Sequence, residues 1–392
     1  MKIVFISNYF NHHQKPFSDA MYKRIGDDYC FIETIPMSEE RLKMGWGGEE
    51  KPAYVKQNYT DENSKNECQR LIDEADVVLY GSAPYELLSS RLKKDKLTFK
   101  YSERIYKKRC PFYKLPRHFV LNTKNYRRYK NLYLLCASAY TSADFAKTLT
   151  FINKAYKWGY FPEVKKYDDI DVLIEEKQAN SILWVARFIP WKHPEAAIEI
   201  AKRLKADGYA FKLNMIGNGE LEKNIQKMIV DNGLSDCVEM LGAMKPEQVR
   251  EHMEKSEIFL FTSDRNEGWG AVLNESMNSA CAVVASHAIG SVPFLVKNGE
   301  NGIIYKDGNM EELYSRVKKL IEDADFRKKM ARRAYETMVS EWNPENAADK
   351  LLNLSNLILA GNTDACPYME GVCSKAEVLK DNSRWNHDNT SL

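Results

Sequence analysis

The sequence predicts an α/β protein with two domains, each built on a parallel sheet flanked by helices. Its 392 residues, 44% of them hydrophobic, are too many for one ordinary hydrophobic core. Short β-branched and aliphatic runs alternate with helical patterns, which is typical of a parallel sheet with crossover helices. The alternation stops at one charged stretch and then restarts, so two such layers are expected.

In the first half of the chain, five apolar runs predict the strands of one sheet. The predicted strands cover residues 2–7, 29–35, 76–81, 97–101 and 131–138. The regular alternation ends at Tyr160-Phe161-Pro162-Glu163. We therefore assign residues 1–163 to a first Rossmann-like domain.

The charged and irregular residues 164–179 predict a linker, and residues 180–342 predict a second Rossmann-like domain. Its elements in order are strand 181–188, helix 193–206, strand 211–216, helix 219–232, strand 237–241, helix 246–254, strand 257–261, helix 270–279, strand 281–286, strand 303–305 and helix 309–322.

The end of the chain predicts one helix and a tail. Residues 343–360 begin with Asn-Pro and continue with helical periodicity, which favours a helix. Residues 361–392 are polar and low in apolar residues, so we expect a flexible tail.

Composition excludes several classes of protein. A mean hydropathy of −0.52, without an apolar run near the roughly 18 to 20 residues of a bilayer span, argues against an integral membrane protein. The first residues lack the apolar core and cleavage site of a signal peptide, so a cytoplasmic location is expected. The eight cysteines include no C-x-x-C pair, which argues against a zinc site or a disulfide framework.

The charge is distributed unevenly. The net charge is +2 overall, but it is +10 for residues 1–165 and −8 for the remainder. Residues 91–130 alone hold fifteen basic residues against Asp95 and Glu103. Such a density predicts an anionic partner or a strongly solvated face.

The most informative motif joins two glutamates, Glu267 and Glu275, through the glycines Gly268 and Gly270. These glycines let the backbone approach a ligand closely, and the amides that begin the following helix predict a phosphate site. Within one helix the carboxylates would lie roughly 12 Å apart, which is too far for the acid–base pair of a glycoside hydrolase. Recognition of a vicinal diol in a ribose or hexose fits them better.

Cations and a glycine turn follow two other predicted strands. Arg187 and Lys192 lie where a buried strand ends and a helix begins, which is where ligands bind in open α/β sheets. They could therefore meet a diphosphate and replace a metal ion there. Gly217 opens a second glycine-rich turn after the next strand.

Taken together, these motifs resemble the family 4 glycosyltransferases, which are retaining enzymes of the GT-B fold. The resemblance is carried by the Arg and Lys, then by I-G-N-G-E-L, V-x-M-L-G, E-G-W-G-x4-E and N-G-x-N-G-I-I-Y, all within residues 180–340. It implies two Rossmann-like domains with a cleft between them, a nucleotide-sugar domain at 180–342 and an acceptor domain at 1–163. It also implies that the helix at 343–360 returns to the first domain.

The resemblance also implies a role for each residue of the motifs. Arg187 and Lys192 would stabilise the departing diphosphate, and Glu275 would bind the ribose. Glu267 and the loop of Gly268, Trp269 and Gly270 would hold the donor sugar, with Gly217 beside it. We expect a UDP-sugar donor, a glycan acceptor that could be lipid-linked, and a place in polysaccharide synthesis. No essential metal or other cofactor is expected.

The acceptor side has fewer signals, because its candidates rest on position alone. His12 and His13 follow the first strand, and Ser102 and Glu103 end another strand of the first domain. Their side chains could reach an acceptor or a phosphate. In the second domain, the G-G-x-x-E element that is common in the family is absent, since residues 289–294 contain no glutamate.

The basic strip, residues 91–130, interleaves tyrosines with Lys and Arg. An anionic membrane surface suits this mixture, and the enzyme would then be peripheral on the inner face of the membrane. No nucleic-acid-binding module accompanies the strip, so no nucleic acid partner is expected. Two alternatives stay open: a GT-B enzyme of the UDP-N-acetylglucosamine 2-epimerase type, and a non-enzymatic adaptor that uses this strip.

Overall fold

A computed structural model describes residues 1–39, 50–108 and 110–379. The chain divides into two compact units. Unit 1 is Met1–Glu163 together with the described residues from Asn343 onward, and unit 2 is Val164–Trp342.

Unit 1 contains a seven-stranded parallel sheet with the order β3-β2-β1-β4-β5-β6-β7. Its strands are β1 (Ile3–Ser7), β2 (Tyr29–Glu33), β3 (Val55–Gln57), β4 (Val77–Tyr80), β5 (Thr98–Ser102), β6 (Leu132–Cys136) and β7 (Ala155–Lys157). Every residue of β1, β2, β4 and β6 is buried, as expected for a parallel sheet covered on both faces. The two strands that the sequence did not predict, β3 and β7, have only three residues each, too few for a periodic pattern.

Helices connect these strands. They are α1 (Lys15–Ile25), α2 (Glu62–Glu74), α3 (Ser89–Lys93), α4 (Leu115–Asn122) and α5 (Thr141–Ala146). The first turn of α1 contains Pro16, where a missing N–H costs nothing, and Asp61 caps α2 by accepting from the Ser64 N–H at 2.8 Å.

The C-terminal helix α14 (Pro344–Leu359) belongs to unit 1, as predicted. Asn343 caps it by accepting from the Asn346 N–H at 2.8 Å. Arg24 of α1 holds the helix by donating to the Glu345 carbonyl at 2.9 Å and to Asp349 at 2.7 Å.

Residues 361–379, predicted as part of a flexible tail, instead pack along β7. The Lys157 N–H donates to the Ser374 carbonyl at 2.8 Å, and Lys375 forms an antiparallel bridge with Tyr156. The segment buries a few small and apolar side chains, namely Ala365, Val372 and Cys373. It satisfies backbone groups that an edge strand would otherwise expose, and so the composition misled the prediction. The remaining tail residues, 380–392, lie outside the described part of the chain.

Unit 2 contains a six-stranded parallel sheet with the order β10-β9-β8-β11-β12-β13. Its strands are β8 (Gln178–Val185), β9 (Lys212–Ile216), β10 (Val238–Gly242), β11 (Ser256–Phe261), β12 (Ala282–Ser286) and β13 (Ile303–Tyr305). Its helices are α6 (Ile170–Glu175), α7 (Pro194–Ala206), α8 (Glu222–Asp231), α9 (Pro246–Lys255), α10 (Val272–Asn278), α11 (Val292–Leu295), α12 (Met310–Glu322) and α13 (Ala324–Ser340).

The predicted linker, 164–179, is more structured than its charge suggested. It contains α6, which Asp169 caps by accepting from the Asp171 N–H at 2.8 Å. It also contains Lys177, a buried residue whose Nζ donates to four backbone carbonyls. Strand β8 also begins inside the predicted linker, at Gln178, which is three residues before the start of the expected strand 181–188.

Helix α13 was also absent from the sequence prediction. Asp323 caps it by accepting from the Phe326 N–H at 3.0 Å. Arg327 in its first turn is buried and donates to Glu257 of β11 at 2.9 Å, so a charged pair joins the helix to the sheet. Within the three described ranges, no helix combines the length and hydrophobicity that crossing a bilayer requires.

Candidate functional site

The carboxyl ends of β8 and β11, which are neighbours in the unit 2 sheet, carry the main candidate residues. A short helical turn, Pro190–Lys192, follows β8. The Thr262 hydroxyl, just after β11, donates to the Lys192 carbonyl at 2.6 Å. The Asp264 N–H donates to the Trp191 carbonyl at 3.0 Å. These bonds hold the two strand-end loops together.

Lys192 and Glu267 form an ion pair across these two loops. Each side chain is only 14% exposed, so the pair is partly shielded from water. The Glu267 N–H donates to the Asp264 carbonyl at 3.0 Å, which fixes the turn that carries the carboxylate. The structure thus brings together two predicted residues that are 75 positions apart in the sequence.

Arg187 precedes Lys192 by a few residues in the sequence, but it does not contact the Lys192–Glu267 pair. Its side chain is exposed, and its guanidinium carbon lies 6.0 Å from the centre of the Trp191 ring. It makes no hydrogen bond or ion pair with any residue that the structure describes. Its charge is therefore open to solvent and to a ligand.

The glycine turn at Gly217 packs against the loop that carries Arg187. Gly217 has φ +136°, and a Cβ there would lie 1.9 Å from the Ala186 carbonyl oxygen. The Phe188 N–H donates to the Asn218 carbonyl at 2.7 Å. Only glycine fits this close approach of two backbones, so Gly217 shapes the loop around Arg187.

The loop between the two glutamates is held by packing. Gly270 has φ +83°, and a Cβ there would lie 2.4 Å from the Phe261 ring. Gly268 is buried. The Trp269 indole is completely buried, and its Nε1 donates to Asn274 at 2.9 Å. The Trp269 side chain therefore packs in the interior, and the donor-binding role assigned to Trp269 stays a prediction.

Glu275 lies on α10. Its side chain is half-buried, and no protein group in the described ranges hydrogen-bonds to its carboxylate. Burial raises the pKa of the Glu275 carboxyl, and the nearby Arg250 charge opposes that shift. A half-buried carboxylate without a partner favours a donor supplied from outside the protein.

The sequence analysis missed a group of titratable residues beside the Lys192–Glu267 pair. His193 lies with Nδ1 2.7 Å from Glu195 and Nε2 3.6 Å from Asp264. Asp307, after β13, contributes to the electrostatic environment of the imidazole. The signal was present in the sequence, since a histidine directly follows Lys192, but its partners lie on other elements.

In unit 1, the loop after β1 places His12 and His13 side by side, with ring centres 3.9 Å apart. The Phe10 N–H anchors this loop by donating to the buried Glu33 at 2.7 Å. Burial and then the neighbouring His12 lower the pKa of His13 to about 3. His13 is therefore neutral at physiological pH, and its ring stacks with Tyr160 at 6.1 Å.

Glu103 joins the same part of unit 1. It accepts from the Tyr160 hydroxyl at 2.6 Å and pairs with Lys107 at 2.7 Å. The Ser102 hydroxyl instead donates to the Glu103 backbone carbonyl at 2.8 Å. Tyr160 thus links His13 and Glu103, whereas the Ser102 hydroxyl is engaged with the backbone of the next residue.

The basic strip, 91–130, does not form one charged face. Arg91 is completely buried and donates to four backbone carbonyls, so its charge serves the fold. Lys100 lies over the rings of Tyr80 and Tyr126, at 4.7 and 5.4 Å, and burial lowers its pKa to about 8. Arg109 lies outside the described residues.

The middle of this strip exposes apolar side chains. Helix α4 has no buried residue. Phe112 is 84% exposed and Val120 is 64% exposed, and Tyr113 and Leu121 are exposed beside them. The same segment carries several exposed cations, which are Lys114, Arg117, Lys124, Arg127 and Arg128.

Most of unit 2 matches a known protein family in sequence. Residues 166–337 match the family model described as glycosyl transferases group 1. An uncharacterized glycosyltransferase of Methanocaldococcus jannaschii is 31% identical over 158 residues, which are 40% of this chain and 43% of the relative. The amylovoran biosynthesis glycosyltransferase AmsK of Erwinia amylovora is 32% identical over 141 residues, which are 35% of this chain and 34% of the relative. The matches span less than half the length of these relatives.

Among solved structures, Anabaena HepE in complex with UDP aligns over 90% of this chain and 99% of its own, with a TM-score of 0.66 and 15% identity. At this identity the likeness concerns the fold. The chain has the GT-B fold that the sequence predicts, and it resembles the GT-B glycosyltransferases.

Proposed function

We propose that this protein is a retaining glycosyltransferase that moves a sugar from a nucleotide sugar to a glycan acceptor in polysaccharide synthesis. The observation that carries the proposal is the Lys192–Glu267 pair at the carboxyl edge of the unit 2 sheet. This pair lies within residues 166–337, the part that matches a glycosyl transferase family. Retention of the anomeric configuration is an implication of the resemblance alone.

The leaving diphosphate would bind to Lys192 and Arg187. Negative charge develops on it as the glycosidic bond to the donor breaks, and fixed cations that stabilise that charge would accelerate the reaction. Lys192 is partly shielded, which strengthens its interaction with an anion, and Arg187 is open to a ligand. Glu267 would be freed to accept from sugar hydroxyls when the diphosphate takes its place beside Lys192.

The nucleotide would be UDP, with Glu275 accepting from the ribose hydroxyls. Its unpartnered carboxylate supports this role, since an ionised carboxylate accepts two hydrogen bonds from a vicinal diol. The HepE complex contains UDP, which supports the choice of base.

The acceptor would bind to unit 1 through the neutral side chains of His13 and Tyr160 and through the Glu103 carboxylate, which pairs with Lys107. His13, Tyr160 and Glu103 form a connected group there, and a neutral imidazole can both donate to and accept from a sugar hydroxyl. Ser102 would contribute less, because its hydroxyl already donates to the Glu103 backbone carbonyl.

The acceptor would be lipid-linked, and the protein would bind the cytoplasmic face of an anionic membrane. The exposed segment 112–128 supports this partner, because apolar and aromatic side chains can enter the interface while the cations beside them meet lipid headgroups. A site for nucleic acid would have less use for Val120 and Leu121, since stacking on bases requires rings.

The transfer would need no metal, because Lys192 and Arg187 supply the positive charge. The Asp169-x-Asp171 sequence resembles a metal-binding D-x-D, but both of its carboxylates already contact protein groups, and this supports the expectation that no metal is needed. One carboxylate caps α6 and the other contacts Arg332.

The test is incubation of the purified protein with UDP-, GDP- and ADP-sugars, with and without undecaprenyl-phosphate-linked saccharides, followed by mass spectrometry and NMR of the products. We expect transfer from a UDP-sugar with an unchanged anomeric configuration, in the presence of EDTA. An epimerised UDP-sugar without acceptor would support the epimerase alternative instead. Loss of activity in EDTA that Mg²⁺ restores would contradict the metal-free mechanism, and failure to bind any nucleotide would favour the adaptor alternative.

A further inference from the structure

His193 lies between the two loops that carry the Lys192–Glu267 pair. It caps α7 in the left-handed region, with φ 50° and ψ 54°, which non-glycine residues seldom adopt. Its Nδ1 is 2.7 Å from Glu195 Oε1, and its Nε2 is 3.6 Å from Asp264 Oδ2. The ring therefore connects the first turn of α7 with the turn that follows β11.

Backbone hydrogen bonds link Asp264 to both loops of the ion pair. Its N–H donates to the Trp191 carbonyl at 3.0 Å, and its own carbonyl accepts from the Glu267 N–H at 3.0 Å. His193 is the neighbour of Lys192 in the chain. One side of the histidine thus sets the lysine loop, and the other side reaches the turn that carries the glutamate.

The number of N–H groups on the imidazole decides whether both connections can exist. A protonated ring has two N–H donors and can serve both carboxylates, whereas a neutral ring has one and directs a lone pair at the second carboxylate. The groups that face it are Glu195 on its own helix, Asp264 after β11 and Asp307 after β13. Arg265 is a positive group that in turn acts on Asp307.

These surroundings favour the charged ring. The Glu195 hydrogen bond raises the pKa of His193, burial lowers it, and the charges of Glu195, Asp264 and Asp307 raise it further. The net effect is a raised pKa of His193. The stabilisation that the charged ring gives to the folded protein is therefore complete below the ordinary histidine pKa range, and it is lost as the pH rises through the pKa of His193 in the folded protein.

We infer that His193 is a pH-dependent positioning residue of the donor site, whose imidazolium holds the Lys192 loop against the Glu267 turn. The inference rests on the proposed function, since it describes regulation of the same site. Nucleotide binding is strongest when the ring is charged and weakens at alkaline pH, when one of the two connections is lost. Substrate contacts and bond-breaking remain with the neighbouring residues.

The first experiment needs no ligand. NMR titration of the histidine side chains in the full-length protein reports the pKa of His193 directly. We expect a value above the usual range that falls in both Glu195→Gln and Asp264→Asn, whereas His252 in the same unit does not change. A His193 pKa in the usual range in the parent protein, or a His193 pKa that stays at the parent's value in both variants, would overturn the bridge.

The second experiment measures binding of UDP by calorimetry between pH 6.5 and pH 9. We expect the parent protein to lose about two- to fivefold in affinity across this range, as partly exposed charge pairs contribute modestly. His193→Gly accepts the left-handed backbone without a side chain, and it should bind weakly at every pH after the titration of UDP itself is subtracted. His193→Asn tolerates the same backbone and can donate to one carboxylate, so it should be intermediate and independent of pH.

The results separate this inference from the proposed function. If UDP fails to bind at any pH while His193 titrates as expected, the donor assignment is wrong and the bridge stands. If UDP binds and His193→Gly retains the parent's pH dependence, the positioning role is wrong and the donor site stands. Thermal melting of each variant shows whether a loss of affinity follows from unfolding.

Discussion

Both units pair charged side chains near the carboxyl ends of strands, as Glu103 and Lys107 do in unit 1. Unit 1 differs because it also buries two basic side chains among aromatic rings. In unit 2, Lys192 meets Glu267 and His193 meets two carboxylates. In unit 1, burial lowers the pKa of His13 to about 3 and that of Lys100 to about 8. Both units have parallel sheets of similar size, so the difference lies in the residues at the strand ends and not in the architecture.

The difference indicates which kind of ligand each unit suits. A paired cation can exchange its carboxylate partner for a phosphate and stay compensated, so the proposed donor site of unit 2 would suit an anionic ligand. Neutral imidazole and phenol groups cost less to bury than charged groups and hydrogen-bond hydroxyls well, so the proposed acceptor site of unit 1 would suit an uncharged sugar. Variants in each unit should therefore affect different ligands.

The largest expected effect is at Lys192. Lys192→Ala should lower kcat about 10²- to 10³-fold, the size seen when one group that stabilises transition-state charge is removed. Lys202→Ala, an exposed lysine on α7, is the matched control and should leave kcat unchanged. Steady-state kinetics measure both variants, with the donor and acceptor that the transfer assay identifies. A folded Lys192→Ala protein with normal kcat would remove the basis for assigning the diphosphate to unit 2.

A smaller loss is expected at Glu275. Glu275→Ala should weaken binding of UDP about tenfold to a hundredfold, because hydrogen bonds to a charged acceptor from the ribose are lost. Binding of UDP and of the UDP-sugar should fall by the same factor, since both contain the ribose. Glu336→Ala, an exposed glutamate on α13, serves as the control. If only the sugar-dependent part of the affinity changed, Glu275 would contact the sugar rather than the nucleotide.

The smallest effect concerns the exposed segment of unit 1. Replacing Phe112 and Val120 together by Ser should reduce binding to vesicles with phosphatidylglycerol about tenfold, because two apolar side chains no longer enter the interface. UDP affinity should not change. Val230→Ser in unit 2, which removes a side chain that is 60% exposed, should leave vesicle binding intact.

Cosedimentation at increasing lipid charge and salt concentration tests the membrane partner. Binding should rise with the anionic lipid fraction and fall with salt, as the Debye length shortens. Equal binding to neutral and anionic vesicles would contradict the role of the cations. Loss of UDP affinity in the Phe112 and Val120 variant would contradict the assignment of membrane binding and UDP binding to different units.

Local patterns predicted the sheets well, and they failed where burial depended on distant partners. Apolar runs located the long strands because a buried parallel strand is hydrophobic along its length. The tail at 361–379 read as flexible, although its backbone bonds to β7 more than 200 residues away. Arg91 read as a surface charge, although backbone carbonyls from several segments enclose it.

The sequence by itself determined the two α/β layers, the glycine loops, and the placement of Arg187, Lys192 and Glu267 near strand ends and of Glu275 on the helix that follows. These features follow from hydrophobic periodicity and glycine spacing, which act over a few residues. The tertiary structure alone decided that Lys192 pairs with Glu267, that His193 bridges to Asp264, and that Trp269 faces the core. Those outcomes depend on which strands become neighbours in the sheet, because contacts between residues about seventy positions apart exist only once β8 and β11 lie side by side.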